Sequence, residues 1–391
     1  MSEAEFRRAF AGRRILVTGH SGFKGGWLCL WLRRLGAAVV GVSLPAEPRS
    51  LHNAIGLDRL IDGRIGDIRS REAFQACLAG ADFDLVFHLA AQPIVRRSFV
   101  DPIDTYLTNV VGTAVVLEAA RAMPSLRAIV VVTSDKCYAN NEWAWGYRET
   151  DAMGGHDPYS SSKGCTELVA AAYRDTFFTR PGAPRLATVR AGNVIGGGDF
   201  ASDRLVPDLV RAMEAGERPI LRNPASVRPW QHVFEPLRGY LMVAARLMAG
   251  ERGIDEAWNF GCDRDSAVDV ASLAAMIAQG LGVKQAPLVR RDEAAPAEAR
   301  LLRLDSTKAF VRLGWKPVYS IAETVDQTAA WYRAFFKDPG RIRAVSEAQL
   351  TDYLVRAEAA ESSRPTPTTA RPDETTAGQA VAGAQKRAAY G

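Results

Sequence analysis

A glycine-rich segment directly after the first apolar run is the feature that most constrains this chain. The apolar run at residues 15–17 is followed by Gly19, Gly22 and Gly25, in the spacing G-x-x-G-x-x-G, and then by a helical pattern that starts at Trp27. Glycines here permit a tight turn and let backbone N–H groups approach a pyrophosphate, which the positive end of a helix also attracts. An ordinary glycine turn is the alternative, but the position between a strand and a helix argues against it. The segment therefore predicts a dinucleotide-binding site.

The apolar pattern of the first half predicts the fold around this site. Short β-branched runs alternate with helical patterns as far as Arg190. Apolar runs separated by helices are typical of a parallel sheet that is covered on both faces. We therefore predict an α/β fold, a doubly wound parallel sheet of the Rossmann type, with a smaller C-terminal lobe that binds substrate.

The regular alternation ends after Arg190, and this change suggests the domain limits. Residues 191–233 are rich in Gly, Pro, Asn and Arg and resemble loops that hold a ligand. We predict a dinucleotide-binding domain that carries the catalytic residues at 10–190, and a substrate-binding lobe at 191–350 from which some chain returns to the sheet. Residues 361–391 are rich in small and polar residues and offer little apolar surface to offset the entropy of ordering, so we predict a disordered tail.

Composition limits the class of protein. The 391 residues are 47% hydrophobic, enough to bury a sizeable core. The net charge of +5 is not concentrated in a basic run, which argues against nucleic acid as a partner and weakly for an acidic small ligand. The five cysteines are scattered, as in a cytosolic protein without disulfides or a metal site. The N-terminus has no signal-peptide pattern, and no apolar stretch approaches the roughly 20 residues of a membrane span. We expect a cytoplasmic protein without a bound metal.

Tyr159 and Lys163 form the candidate catalytic pair. They stand one turn apart at the start of a predicted helix, and an ammonium beside a phenol lowers its pKa, which makes the phenol a usable base. The Y-x-x-x-K spacing is common by itself. It gains weight here because an earlier strand ends at Ser134, whose hydroxyl would bind the same substrate hydroxyl that Tyr159 deprotonates.

Together with the glycine-rich segment, this constellation resembles the extended short-chain dehydrogenase/reductase family of nucleotide-sugar enzymes, over roughly residues 10–340. Within that family, dehydratases of other sugars end the strand in Thr-Asp-Glu, whereas the Asp135-Lys136 pair followed by Cys137-Tyr138 is similar to the CDP-glucose 4,6-dehydratase subfamily. The same subfamily is matched by HSGFKG at 20–25, HLAAQ at 88–92, EWAWGYRE at 142–149, GNVIGGGD at 192–199 and RPWQH at 228–232.

The resemblance implies a reaction and a set of site residues. The reaction is the conversion of CDP-glucose to CDP-4-dehydro-6-deoxyglucose with NAD and without net oxidation, in a homodimer or higher homo-oligomer. The implied catalytic residues are Ser134, Asp135, Lys136, Tyr159 and Lys163. The implied cofactor-binding residues are Gly19, Gly22, Phe23, Lys24, Gly25, Asp67, Ile68, Leu89, Ala90, Ala91, Tyr159 and Lys163. The implied substrate-binding residues are Gln92, Asn193, Arg204, Arg222, Arg228 and His232.

Two questions stay open at this point. The first is the cofactor, because Pro45 stands where the family usually has an acid for the ribose of NAD; Glu47 comes slightly late, and Arg49 would suit the 2′-phosphate of NADP unless both belong to a solvated loop. The second is the reaction. An epimerase or a dehydratase for another nucleotide is the nearest alternative, and a non-catalytic dinucleotide-binding regulator is a more distant one. An epimerase has no need of Asp135 and Lys136.

Overall fold

The computed structural model describes residues 1–78, 80–221, 223–262, 266–283, 288–289 and 301–362. The strands are β1 (Arg14–Thr18), β2 (Ala38–Ser43), β3 (Asp62–Ile65), β4 (Leu85–His88), β5 (Ala128–Val132), β6 (Arg185–Ala191), β7 (Asn193–Ile195), β8 (Ile220–Leu221), β9 (Val227–His232), β10 (Ala257–Phe260), β11 (Ala267–Asp269) and β12 (Leu288–Val289). None of the helices within the described ranges is long and apolar enough to cross a membrane.

The α-helices are α1 (Glu3–Phe10), α2 (Phe23–Arg34), α3 (Leu51–Ile55), α4 (Arg71–Leu78), α5 (Val95–Val100), α6 (Pro102–Tyr106), α7 (Gly112–Ala120), α8 (Pro158–Phe177), α9 (Leu205–Glu214), α10 (Phe234–Met248), α11 (Val270–Leu281), α12 (Ile321–Lys337) and α13 (Ile342–Ser362). Two π-helical segments, Leu107–Val111 and Ala309–Leu313, lie between α6 and α7 and before α12. A 3₁₀ turn, Asp135–Cys137, follows β5.

Seven parallel strands form the main sheet, in the order β3-β2-β1-β4-β5-β6-β10. The strand order reverses between β1 and β4, where Val17 pairs with Gly41 on one side and Phe87 on the other. At such a point the connections that follow the two neighbouring strands run in opposite directions, which leaves a crevice between them. The predicted doubly wound α/β fold is confirmed.

Both faces of the sheet are covered, which explains why its strands are continuous apolar runs. Successive side chains of a strand point to opposite faces, so Ile15 and Val17 enter one core cluster and Leu16 enters the other. Helices α2 and α10 cover the first face, where the rings of Trp27 and Phe234 lie edge to face with centroids 4.9 Å apart. Helices α4, α7 and α8 cover the second face.

The segment that follows β6 is more regular than its composition suggests. Strands β7 and β9 and helix α9 lie within residues 191–233, where we expected loops, and β11 from later in the chain completes a three-stranded sheet in the order β11-β9-β7. The strands are only a few residues long and their Gly, Pro and Asn content hides their pattern. Strand β10 then returns to pair with β6, so the main sheet draws on both predicted domains.

The last described helix extends further than predicted. Helix α13 continues through Glu361 and Ser362, which we had assigned to a disordered tail. Glu361 accepts hydrogen bonds from the amino group of Met1 at 2.7 Å and from Arg238 at 2.8 Å, and these charges hold the helix end against the N-terminus. The rest of the predicted tail, residues 363–391, lies outside the described residues.

Candidate active site

A cavity of about 660 Å³ opens at the carboxyl ends of the parallel strands. Open α/β sheets bind ligands at this edge, beside the point where the strand order reverses. Its walls come from the glycine-rich loop after β1, the ends of β2 to β5, the start of α8 and the segments around β7, α9 and β9. The volume suits a ligand of cofactor or nucleotide size.

The glycine-rich loop forms one wall and leaves no room for larger residues. Gly19 has a φ of 76°, and a Cβ on it would lie 2.7 Å from the backbone nitrogen of Ala90. A Cβ on Gly25 would lie 2.1 Å from the carbonyl oxygen of Gly19. Gly22 caps the N-terminus of α2 with no side-chain hydrogen bond and no acidic residue in the first turn, so backbone N–H groups face the cavity. This cradle fits the pyrophosphate of a dinucleotide.

The ends of β2 and β3 form the wall where an adenosine would lie. Ser43, Leu44, Asp67 and Ile68 line the cavity here. The carboxylate of Asp67 accepts hydrogen bonds from Arg69 at 2.6–3.0 Å. This hydrogen bonding lowers the pKa of Asp67, so the carboxylate is charged at neutral pH.

Arg49 faces away from this wall. Its guanidinium bonds the carboxylate of Glu214 on α9 and lies 4.6 Å from the centroid of the Phe200 ring. Neither Arg49 nor the exposed Glu47 is among the described residues that line the cavity. The arginine that would have suited the 2′-phosphate of NADP therefore has other partners.

The predicted catalytic segment after β5 is held by its own hydrogen bonds. Ser134 caps the 3₁₀ turn: its Oγ accepts from the backbone N–H of Lys136 at 3.2 Å and donates to Oδ1 of Asp135 at 2.8 Å. Asp157 caps α8, accepting from the backbone N–H of Ser160 at 2.9 Å. The cap fixes where α8 begins, which places Tyr159 in its first turn and Lys163 in its second. The five predicted catalytic residues all line the cavity.

The pKa of the Asp135 carboxyl group is raised by burial. It is only 6% exposed, and desolvation raises its pKa against the opposing effects of Lys136, Ser134 and Arg228. A carboxyl group whose pKa is raised toward neutrality can give a proton to a leaving hydroxyl. Gly192 lies beside this carboxyl group, since a Cβ on it would be in van der Waals contact with Oδ2 of Asp135 at 3.4 Å.

Burial, and not the neighbouring Lys163, has the largest effect on the pKa of Tyr159 in this structure. Burial raises the pKa of Tyr159 to about 12, although Ser134 opposes the shift. Burial also lowers the pKa of Lys163 to about 8, which weakens it as a permanent positive charge beside the phenol. The prediction that the phenol has a lowered pKa is therefore wrong for the protein without a ligand, because desolvation of a charged phenolate outweighs its neighbours.

The predicted substrate-binding residues separate into three groups. Gln92, Asn193, Arg204 and Arg228 line the cavity. Gln92 is held by the hydroxyl of Thr105, to which its Nε2 donates at 2.9 Å, and Arg204 pairs with Asp199 at 3.0 Å. Arg222 lies outside the described residues.

His232 lies elsewhere. It is fully buried between Phe234 and Tyr319, with ring centroids 4.5 and 5.5 Å away, and is not among the described residues that line the cavity. Its Nδ1 accepts a hydrogen bond of 3.4 Å from the backbone of Phe234, and burial lowers its pKa to about 3. The structure thus places His232 in the core as a neutral ring, against our expectation of a substrate ligand.

Known proteins identify the family to which these features belong. The family model described as GDP-mannose 4,6 dehydratase matches residues 16–328. The chain belongs to this family. It is 46% identical over 349 residues to the CDP-glucose 4,6-dehydratase of Salmonella typhimurium, which covers 88% of this chain and 96% of that protein. The predicted membership of the nucleotide-sugar dehydratases is confirmed.

Solved structures agree with the GDP-mannose 4,6 dehydratase family fold. A dTDP-glucose 4,6-dehydratase from Streptomyces venezuelae, solved with NAD bound, is 26% identical, covers 82% of this chain and 97% of its own, and has a TM-score of 0.71. The UDP-glucose 4-epimerase of Thermotoga maritima has a TM-score of 0.72 at 24% identity, with coverage of 83% and 99%, and shows the shared fold alone.

One cavity residue of this family member escaped the sequence reasoning. Arg96 lines the cavity and its Nη1 lies 3.7 Å from Oδ1 of Asp203, across the cavity from α5 to the segment before α9. The sequence feature that could have revealed Arg96 is its position shortly after β4, at the edge where such sheets bind ligands. Within the described ranges, no group of three or more His, Cys, Asp or Glu residues is arranged to hold a metal ion.

Proposed function

We propose that this chain is an NAD-dependent CDP-glucose 4,6-dehydratase, a hydro-lyase. One observation carries the proposal: Asp135 and Lys136 share a cavity with Tyr159, Lys163 and Ser134. An epimerase needs only the last three, so the added acid and lysine indicate an elimination step. The 46% identity to the Salmonella enzyme supports CDP-glucose as the substrate.

The residues of the cavity suit the parts of such a reaction. When bound in the glycine-rich cradle, NAD would supply the acceptor for the C4 hydride and its later donor to C6. Tyr159 removes the proton of the C4 hydroxyl, and Ser134 binds the same oxygen. The 4-ketone that forms makes the C5 proton acidic, and Asp135 protonates the C6 hydroxyl, which leaves as water. C5 loses a proton in the elimination and regains one afterwards. Tyr159 has then gained a proton and Asp135 has lost one, so proton exchange with solvent must restore both residues before the next turnover.

Lys136 is assigned to the C5 proton, as its base or as a cation beside the enolate. Replacing Lys136 by Met should lower solvent deuterium incorporation at C5 by about 10²-fold, because no other group is assigned to this proton. Deuterium at C5 of the product is measured by NMR, and oxidation at C4 should stay measurable. Incorporation at the wild-type rate would show that Lys136 is not the base and acts as a cation or not at all.

The proposed activity is tested with purified protein, NAD and a panel of CDP-, dTDP-, GDP- and UDP-glucose. The 4-keto product is followed by its alkali-induced ultraviolet chromophore, and loss of water is confirmed by mass spectrometry. We expect turnover of CDP-glucose alone. Turnover of another nucleotide sugar would show that the substrate is not CDP-glucose alone, and a product of unchanged mass would indicate an epimerase. NAD binding without turnover of any sugar would favour a regulator.

We also propose that the protein is cytoplasmic and forms a homodimer. The proposed interface consists of α5, α6, the π-helical segment Leu107–Val111 and α8. These helices pack together and expose large apolar side chains, including Val100 (86% exposed), Ile103 (68%) and Leu168 (62%). Contiguous exposed apolar surface commonly marks an association site.

Replacing Leu168 by Glu should convert the dimer to a monomer, because a carboxylate would be desolvated within this apolar interface. Light scattering after size-exclusion chromatography measures the molar mass. Val311, which is 71% exposed on the other π-helical segment, provides the control: Val311→Glu should leave the mass of the wild type unchanged. A monomeric wild type, or a dimeric Leu168→Glu variant, would contradict the proposed interface.

A further inference from the structure

We propose that a buried cluster behind the cavity, consisting of Thr133, Tyr138, Glu167 and Arg190, positions the catalytic segment Ser134 to Lys136. We call this cluster the anchor. The inference rests on the proposed function in that it assigns these residues to the support of the dehydratase chemistry. Glu167, Arg190 and Tyr138 are not among the described residues that line the cavity, so they act through the residues that they hold.

An ion pair between α8 and β6 is the centre of the anchor. Glu167 is 6% exposed and Arg190 is 2% exposed. Nε of Arg190 donates to Oε1 of Glu167 at 2.7 Å, and Nη2 donates to Oε2 at 2.9 Å, a two-point geometry that fixes both side chains. Burying two charges costs solvation free energy that the pair barely recovers, so stability alone is a weak reason for such a pair.

The pair holds the catalytic segment at both of its ends. On one side, the hydroxyl of Thr133 donates to Oε1 of Glu167 directly before Ser134. On the other side, Nη1 of Arg190 donates to the hydroxyl of Tyr138, and the guanidinium lies 4.9 Å from the centroid of that ring. The Tyr138 hydroxyl in turn donates to Oδ1 of Asn259 on β10 at 2.8 Å. One buried ion pair thus contacts the chain on both sides of the catalytic segment, at Thr133 and at Tyr138.

The same pair connects this segment to the other half of the catalytic group. Glu167 follows Lys163 by one helical turn on α8, the helix that also carries Tyr159. The Glu167 carboxylate therefore connects the segment that carries Asp135 and Lys136 to the helix that carries Tyr159 and Lys163. A displacement of about 1 Å between reacting groups can lower a rate by about 10²-fold.

Removal of a charge would be a poor test, because the other charge would stay buried without its partner and the protein could fail to fold. The test therefore deletes single hydroxyls. Thr133→Val and Tyr138→Phe each release one end of the catalytic segment. Thr188→Val is the matched control: its hydroxyl donates to Oε2 of the same Glu167 at 2.6 Å, but from β6, a strand to which the catalytic segment does not belong.

We expect Thr133→Val and Tyr138→Phe to lower kcat on CDP-glucose by about tenfold with the KM within about twofold of the wild type, because positioning affects the transition state more than binding. Thr188→Val should keep kcat within about twofold, while all three variants show similar melting temperatures. An equal loss in Thr188→Val, wild-type kcat in the other two variants, or a change in KM alone would overturn the anchor.

A second measurement needs no substrate. Backbone amide hydrogen exchange at residues 134–138, followed by mass spectrometry on the NAD-bound protein, should be faster in Thr133→Val and Tyr138→Phe than in the wild type and Thr188→Val. Equal exchange in all four proteins would overturn the anchor even if kcat changes. If the wild type turns over none of the four nucleotide sugars, the proposed function fails, and the exchange result by itself supports or overturns the anchor.

Discussion

Replacing Tyr159 by Phe should lower kcat on CDP-glucose by about 10²- to 10⁴-fold, the range that a positioned proton acceptor contributes. The ring would remain in the first turn of α8, so the cavity wall keeps its shape while the group assigned to the C4 hydroxyl proton is lost. Steady-state turnover measures kcat, and calorimetric titration with NAD shows that the cradle still binds its ligand.

A matched control lies further along the same helix. The hydroxyl of Tyr173 donates to Glu118 at 3.4 Å, and neither residue is among the described residues that line the cavity, so Tyr173→Phe should retain wild-type kcat. A Tyr159→Phe variant that turns over CDP-glucose at more than a tenth of the wild-type rate would remove Tyr159 from the role of base.

The pH dependence of the wild type should carry the mark of this buried phenol. Burial raises the pKa of Tyr159 to about 12, and the base form of a tyrosine is the deprotonated one. The rate of C4 oxidation should therefore rise with pH until the pH exceeds the pKa of Tyr159 in the ligand-bound enzyme. Positive charge near the phenol in that complex favours the ionised form and lowers this pKa. The rise should be absent in Tyr159→Phe.

Replacing Asp135 by Asn should lower kcat by a similar factor, about 10²- to 10⁴-fold, but at a different step. Asparagine keeps the size of the side chain and can still bind the hydroxyl of Ser134, yet it has no proton to give to the C6 hydroxyl. The substrate should still be oxidised at C4, so rapid-quench sampling should show a 4-keto nucleotide sugar that has not lost water.

The direction of the Asp135 pKa shift predicts how turnover depends on pH. Desolvation raises this pKa, and the active form of a general acid is the protonated one. Wild-type kcat should therefore fall as the pH rises through the raised pKa of Asp135, and Asp135→Asn should lack this decline. Normal turnover in Asp135→Asn, or an unchanged decline, would show that another group protonates the leaving hydroxyl.

Sequence reasoning located the parts of the site that depend on local geometry. The spacing of Gly19, Gly22 and Gly25 after an apolar run is enough to predict a phosphate cradle, since a tight turn and a helix N-terminus follow from neighbouring residues. The strand end at Ser134 and the helix start at Tyr159 are local in the same sense. The predicted order of strands and helices gave the α/β fold, because each strand that is buried on both faces is an apolar run.

Other features depended on contacts between distant segments. Arg228 and His232 belong to the same strand, but His232 is covered by Phe234 and Tyr319, and only the packed structure shows how far along β9 the cavity extends. Arg49 is bonded to Glu214, which lies far along the chain on α9. No local pattern distinguishes such an arginine from a cofactor ligand.

The sequence by itself determined the parallel sheet and the glycine-rich turn before the first sheet helix, and it predicted which residues serve as acid, base and redox pair. Only the tertiary structure decided the burial of these residues and their mutual placement. Burial, which is a property of the whole packed chain, raises the pKa of Tyr159 where its neighbour Lys163 predicted a decrease. The Glu167–Arg190 pair joins three separate segments behind the cavity. Desolvation and long-range contacts come from packing, so they could not be predicted from spacing along the chain.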